Sequence, residues 1–274
     1  MKTIKLLLTT LLLVVISNTY ANKKTCNIFI HGYTNNSDNY FGDLPRQVKW
    51  NSQKEIEDVA PDVANKILDH YKTCEKNSLM VLRPHSYGAA IVQYILSKGH
   101  QFQSIFPQHD FVEVYRNTLE VYAYTGAYHG TPIMDLVCKK RFTRFLGQVI
   151  GRKCLKSLST SKVHNVVHKA TTPGVPTHLI TSTNRSGYLG IPGFFISRYM
   201  VSFWRFLWGT RNQNDNTLPL YATRACQRKR LMTRSSSTCR KVNENYFTNF
   251  ITTRSQNHSE VTKDEKLMTL TYEK

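Results

Sequence analysis

Three short stretches carry the residue types that acyl transfer needs: Pro84-His85-Ser86-Tyr87-Gly88 with a serine, Asn214-Asp215 with an acid, and Asn257-His258 with a base. A serine hydroxyl attacks a carbonyl carbon only when a base removes its proton, and a carboxylate must orient that base and stabilise the imidazolium. Ser86 is the candidate nucleophile, His258 the base and Asp215 the acid. Asp135, after Gly130-Thr131-Pro132, is the rival acid; Asp215 is preferred within its turn-forming stretch Asn212 to Pro219. His85 is too near Ser86 in the chain to present its ring to that hydroxyl, and His31 and His129 stand beside glycines in positional roles. The negative charge that develops on the carbonyl oxygen needs preorganised donors, and the backbone amides of Tyr33 and Tyr87 are placed to supply them.

These residues must be lifted to the surface by regular elements. The serine pentapeptide varies the G-x-S-x-G elbow, with Pro84 in the first glycine position. It follows the apolar run Leu79 to Leu82 and precedes the helical pattern Ala89 to Leu96, the strand, sharp turn and helix that expose a nucleophile. Asn27 to Ile30 reads as a buried strand ending at His31-Gly32-Tyr33, and Thr34 to Asp43 as a loop. Gln47 to Trp50 reads as a short strand. Apolar residues Ile56, Val59, Ala60, Val63, Ala64, Ile67 and Leu68 recur at spacings of three and four, which predicts an amphipathic helix within 55–74; Pro61 predicts a kink or a later start. Further strands are predicted at Leu119 to Tyr124 and Pro176 to Thr183. Strands alternating with helices predict a mostly parallel, doubly wound α/β sheet with helices on both faces, whose ligands bind at the carboxyl ends of the strands. His31, Ser86, the loop 126–131 and the stretch after Thr183 all fall at those ends.

Segment 187–210 is crowded with aromatic residues, and Ser197, Arg198, Ser202 and Arg205 would form a narrow polar stripe on a helix. Two arginines argue against a membrane span. The alternatives are a buried helix and a lid-like insertion above the site. The chain begins with Lys2 and Lys5, an 11-residue apolar core from Leu6 to Ile16, and Thr19 and Ala21 at the −3 and −1 positions, which reads as a signal peptide over 1–21 and predicts export to a periplasm or beyond. Residues 22–274 then form one domain. The formal charge is +19, or +17 without Lys2 and Lys5, which favours an anionic membrane surface or cell-surface polyanions as transient partners over nucleic acid in an exported protein; the alternative is a solvated basic surface with no dedicated partner. Six cysteines predict disulfides. Chain proximity favours Cys138 with Cys154 and Cys226 with Cys239, leaving Cys26 and Cys74 ahead of two strands expected to be neighbours. No CxxC or paired-histidine spacing calls for zinc.

The patches Ile28 to Tyr33, Leu79 to Ala90, Thr125 to Thr131, Asn214 to Cys226 and Asn257 to Val261 resemble the α/β-hydrolase superfamily, and within it bacterial lipases and esterases. The order Ser, Asp, His along the chain is that of the family. The resemblance implies Ser86, Asp215 and His258 as the triad, the Tyr33 and Tyr87 amides as oxyanion donors, a carboxylic ester, most simply a lipid, as substrate, and no cofactor. Where calcium-containing lipases carry an aspartate this chain has Ser259, so no metal site is carried over. Pro84 is a second departure, and the segment between the first strand and the serine is short. A phospholipase or lipid acyltransferase, and a basic surface-binding protein that keeps the fold without the chemistry, are the alternative expectations.

Overall fold

The computed structural model describes residues 24–34, 37–38, 40–128, 130–131, 134, 138, 154–159, 175–182, 247–253 and 260–269. Among these residues six strands form one parallel sheet: β1 Thr25–Ile30, β2 Gln47–Val48, β3 Leu79–Pro84, β4 Thr118–Tyr124, β5 Thr177–Ser182 and β6 Phe247–Thr253. Their order is β2-β1-β3-β4-β5-β6. The chain therefore winds outward from β1 to β2, returns to β3 on the other side of β1, and continues to β6. That reversal opens a crevice between the carboxyl ends of β1 and β3, where ligands bind in such sheets.

Side chains alternate cleanly between the two faces, as a pleated strand demands. Ile28, Ile30, Met80, Leu82, Val121 and Ala123 enter one buried cluster; Phe29, Val81, Tyr122, Tyr124 and Ile180 enter the other. The first face is covered by α1 (Ile56–Lys72) and α2 (Tyr87–Phe102). Against it α1 buries the seven apolar residues that its spacing predicts, Ile56 through Leu68. The helix starts at Ile56 and runs through Pro61, so no later start occurs: Pro61 is exposed, and the amide it lacks falls on the solvent side. A third helix, α3 (Asp110–Asn117), packs on α2 and is capped by the His109 imidazole, which accepts a hydrogen bond from the Phe111 amide. The second face receives Phe41, Val261 and Met268, the last from α4 (Glu265–Met268).

Cys26 at the start of β1 is bonded to Cys74, between α1 and β3, and Cys138 is bonded to Cys154. Both pairings are those expected from the sequence; Cys226 and Cys239 lie outside the described residues. So do the expected signal peptide and the aromatic segment 187–210. Among the described residues no helix is long and apolar enough to cross a membrane.

Candidate functional site

The serine pentapeptide is the corner between β3 and α2. Ser86 caps α2 with φ 52° and ψ −118°, a backbone conformation that a residue bearing a Cβ occupies at a cost of about 1–3 kcal/mol. Its neighbours hold it there. The Ser86 amide donates to the Tyr124 carbonyl at 2.9 Å, and the Ser86 carbonyl accepts from the amides of Ala127 at 2.9 Å and Ala89 at 3.2 Å. The His85 amide donates to the Ile30 carbonyl at 2.9 Å. The elbow is thus tied to β1 on one side and β4 on the other. Pro84 is the last residue of β3, in register with Ile30, and the ladder bond beyond it is made by His85.

So tight a corner has no room for side chains around it. A Cβ on Gly32 would lie 2.6 Å from the Ser86 Cβ, and one on Gly88 would lie 2.6 Å from the His31 carbonyl oxygen. Gly126 abuts the Ala89 Cβ at 2.9 Å in the same sense. Three glycines from three segments therefore let the end of β1, the elbow and the end of β4 meet. This brings Tyr33, next after Gly32, to the corner that holds Ser86 and Tyr87. Tyr87 opens α2, where helix geometry provides no internal acceptor for its amide. Its phenol is buried and donates to the Lys54 carbonyl at 3.0 Å, and burial pushes the phenol's pKa up.

His31 has the positional role expected of it. Its Nδ1 donates to the Gly32 carbonyl at 2.7 Å, and its Nε2 accepts from the Trp50 amide at 3.3 Å. The Trp50 indole stacks on the imidazole with centroids 5.1 Å apart and donates to the His31 carbonyl at 3.2 Å. Burial holds the His31 pKa below its ordinary value, so the ring stays neutral in the tautomer that these bonds require. His85 is buried as well, and its Nδ1 shares a hydrogen bond with the Tyr40 hydroxyl at 2.7 Å. That hydroxyl would stand 2.9 Å from a Cβ on Gly32, so it borders the same corner as Ser86. The sequence carried no signal for Tyr40, which belongs to a loop without periodicity.

Two further anchors were missed. The Glu55 carboxylate, just ahead of α1, accepts from the amides of Lys156 at 2.9 Å and Ser157 at 2.6 Å and from the Ser157 hydroxyl. It thereby fixes the 154–159 segment beside the elbow's helix. Arg83, wholly buried in β3, donates from Nε to Asn27 at 2.7 Å and from Nη1 to the Tyr124 hydroxyl at 2.7 Å, and lies 4.6 Å from the centre of the Tyr122 ring. The Tyr124 hydroxyl in turn donates to the carbonyls of Leu267 and Met268, both at 3.1 Å, and burial pushes the phenol's pKa up to about 12.

The structure thus brings Ser86, Tyr33 and Tyr87 together. Asp215, His258, the rival Asp135 and His129 lie outside the described residues. Among the described residues, no group of three or more histidine, cysteine, aspartate and glutamate side chains is gathered as a metal would require.

No family model and no curated protein matches the chain by sequence. Solved structures do match by shape. The mature form of the Bacillus licheniformis lipase BlEst2 superposes with a TM-score of 0.60 at 15% identity, covering 88% of this chain and 88% of the lipase. The propeptide form of the same lipase gives a TM-score of 0.63 at 14% identity over 91% of this chain and 51% of that one. A metagenomic carboxyl esterase gives 0.50 at 14% identity over 85% and 64%. Identities this low speak for fold alone, and the fold agrees with the sheet order, the crevice and the elbow: the chain has the α/β-hydrolase fold.

Proposed function

We propose that the protein is an exported serine hydrolase that cleaves carboxylic esters, with lipids as its substrate class. The observation that carries this reading is the Ser86 backbone: a left-handed serine on a strand-to-helix turn, locked from both sides and packed against Gly32. Strain of this kind persists only where surrounding structure over-determines it, and it collects at active sites. The fold shared with a lipase and a carboxyl esterase is one that can host this chemistry.

In this reading the Ser86 oxygen attacks the ester carbonyl while His258 takes the hydroxyl proton and Asp215 stabilises the imidazolium. The amides of Tyr33 and Tyr87 hold the oxyanion; losing one such donor typically costs about 3–4 kcal/mol of transition-state stabilisation. His258 returns the proton to the departing alcohol, and water then resolves the acyl-enzyme by the same route. Segment 187–210, inserted ahead of Asp215, serves as the lid-like element toward a lipid surface, and the basic charge draws the protein to anionic head groups. Two disulfides and the signal-peptide pattern at 1–21 support an oxidising, exported location.

A fluorophosphonate probe tests the assignment. It is expected to label the mature protein, and Ser86→Ala to abolish both labelling and hydrolysis of p-nitrophenyl esters. Labelling of the alanine variant to the wild-type extent refutes Ser86 as nucleophile. Asp215→Ala and Asp135→Ala, compared side by side, decide the acid.

A further inference from the structure

A cleft of about 400 Å³ opens at the carboxyl end of β1 and β2, on the same side of the sheet as Ser86. Thr34 and Ser37 line one part of it, and the run Asn51, Ser52, Gln53 and Lys54 lines another, beside Trp50. Two features make it more than a surface hollow. Thr34 directly follows Tyr33, so one wall continues the strand end that would hold the oxyanion. That wall is also rigid: the Ser52 hydroxyl accepts from the Thr34 amide and donates to the Thr34 carbonyl, each at 2.8 Å, and Trp50 is pinned to His31.

The lining decides which half of an ester belongs there. An acyl chain entering the cleft would displace water from hydroxyl and amide groups and return no hydrogen bonds, at a net cost. A polar alcohol would replace those bonds in kind. Lys54 adds a cation. It is exposed, and among the described residues no carboxylate pairs with it, so its charge is available to an anionic group. Its main chain is held from below by the Tyr87 hydroxyl, which fixes the base of the side chain relative to the elbow.

We propose that this cleft binds the alcohol half of the ester, and that Lys54 selects an alcohol bearing a phosphate, as in a phosphoglycerol head group. The inference rests on the reading of Ser86 as nucleophile and adds the head-group class to it. The test uses three lauroyl esters sharing one acyl chain: lysophosphatidylglycerol, monolauroylglycerol and p-nitrophenyl laurate. In Lys54→Met the ratio of kcat/KM for lysophosphatidylglycerol to that for p-nitrophenyl laurate is expected to fall about tenfold, mostly through KM, as one charge-assisted hydrogen bond is lost. The corresponding ratio for monolauroylglycerol is expected to hold. A phosphoglycerol ratio unchanged by the substitution overturns the proposal, as does a wild-type protein that hydrolyses the other two esters and leaves lysophosphatidylglycerol intact. An equal fall for monolauroylglycerol overturns the phosphate assignment. Ser86→Ala separates the two readings: if it still hydrolyses p-nitrophenyl laurate at the wild-type rate, the nucleophile assignment fails; if it is inactive while Lys54→Met leaves the ratios unmoved, only the cleft inference fails.

Discussion

Adding one methyl group at Gly88 tests whether the spacing between β1 and the elbow governs catalysis. In Gly88→Ala the new carbon would stand 2.6 Å from the His31 carbonyl oxygen and 2.7 Å from that of Ile30, where ordinary contact begins at 3.4 Å. Both obstacles are main-chain atoms, so no rotamer change relieves them. The elbow helix and the end of β1 must part by about 0.8 Å to restore contact distance. The His85 amide bond to Ile30 and the Gly32 contact with Ser86 resist that motion, so the displacement falls on the corner holding Tyr33, Ser86 and Tyr87. Misplacement on the order of 1 Å in such a site costs about 100-fold in rate, and overpacking of this size costs about 1–3 kcal/mol of stability. Steady-state hydrolysis of p-nitrophenyl butyrate, alongside thermal unfolding, is the assay. The expectation is a kcat reduced about 30- to 100-fold with KM little changed, and a midpoint lower by about 2–4 °C for each kcal/mol lost. Gly42→Ala is the control: its φ is 63° and nothing lies near the new carbon, so it is expected to lose about 1 kcal/mol of stability at unchanged kcat. A Gly88→Ala enzyme with wild-type kcat, or a Gly42→Ala enzyme slowed as much, refutes the reasoning.

Replacing Ser86 with glycine is expected to give an inactive protein more stable than Ser86→Ala by about 1 kcal/mol or more, because glycine accepts φ 52° and alanine does not; equal unfolding midpoints contradict the strain argument. Burial lowers the His31 pKa below 6.5, so as pH falls below that value the unfolded chain takes up a proton that the folded protein resists, and stability present above pH 6.5 is lost progressively below it. Urea denaturation at about pH 5 and pH 7.5 is expected to show a smaller difference in His31→Gln than in the wild type, and an identical difference removes His31 from the cause. Opening the Cys26–Cys74 bond, which closes 48 residues, is expected to cost about 4 kcal/mol, against about 3 kcal/mol for Cys138–Cys154 with its 16; paired serine variants compared by denaturant unfolding measure both, and the reverse ranking rejects the chain-entropy account.

Where local pattern decides structure, the sequence was sufficient. The spacing in α1 named every residue the helix buries, since one wet and one dry face leave a periodic trace. The elbow was legible because strand, tight turn and helix succeed one another within a few residues. Long-range contacts left no such trace. The apolar run of β3 stops at Leu82, yet the strand continues through Arg83, whose charge is met by Asn27, Tyr122 and Tyr124 from neighbouring strands. Trp50 reads as the end of a short strand; the strand instead stops at Val48, and Trp50 stacks on His31. Tyr40 reaches the site from an irregular loop, through a bond to His85 that spans 45 residues. The helix Asp110–Asn117 and the strand Phe247–Thr253 gave no distinct pattern: one is short, and the other, Phe-Thr-Asn-Phe-Ile-Thr-Thr, alternates weakly.

Tyr124 bears on the order in which the molecule can be completed. Its carbonyl receives the Ser86 amide, and its hydroxyl holds the carbonyls of Leu267 and Met268, the first of them 143 residues later in the chain. One residue therefore links the backbone of Ser86 to a segment more than 140 residues further along the chain. Closing so long a loop is entropically slow, and until it closes the Tyr124 phenol lacks two of the hydrogen-bond partners it has in the interior. The support beneath the Ser86 amide is therefore complete only once α4 lies against Tyr124.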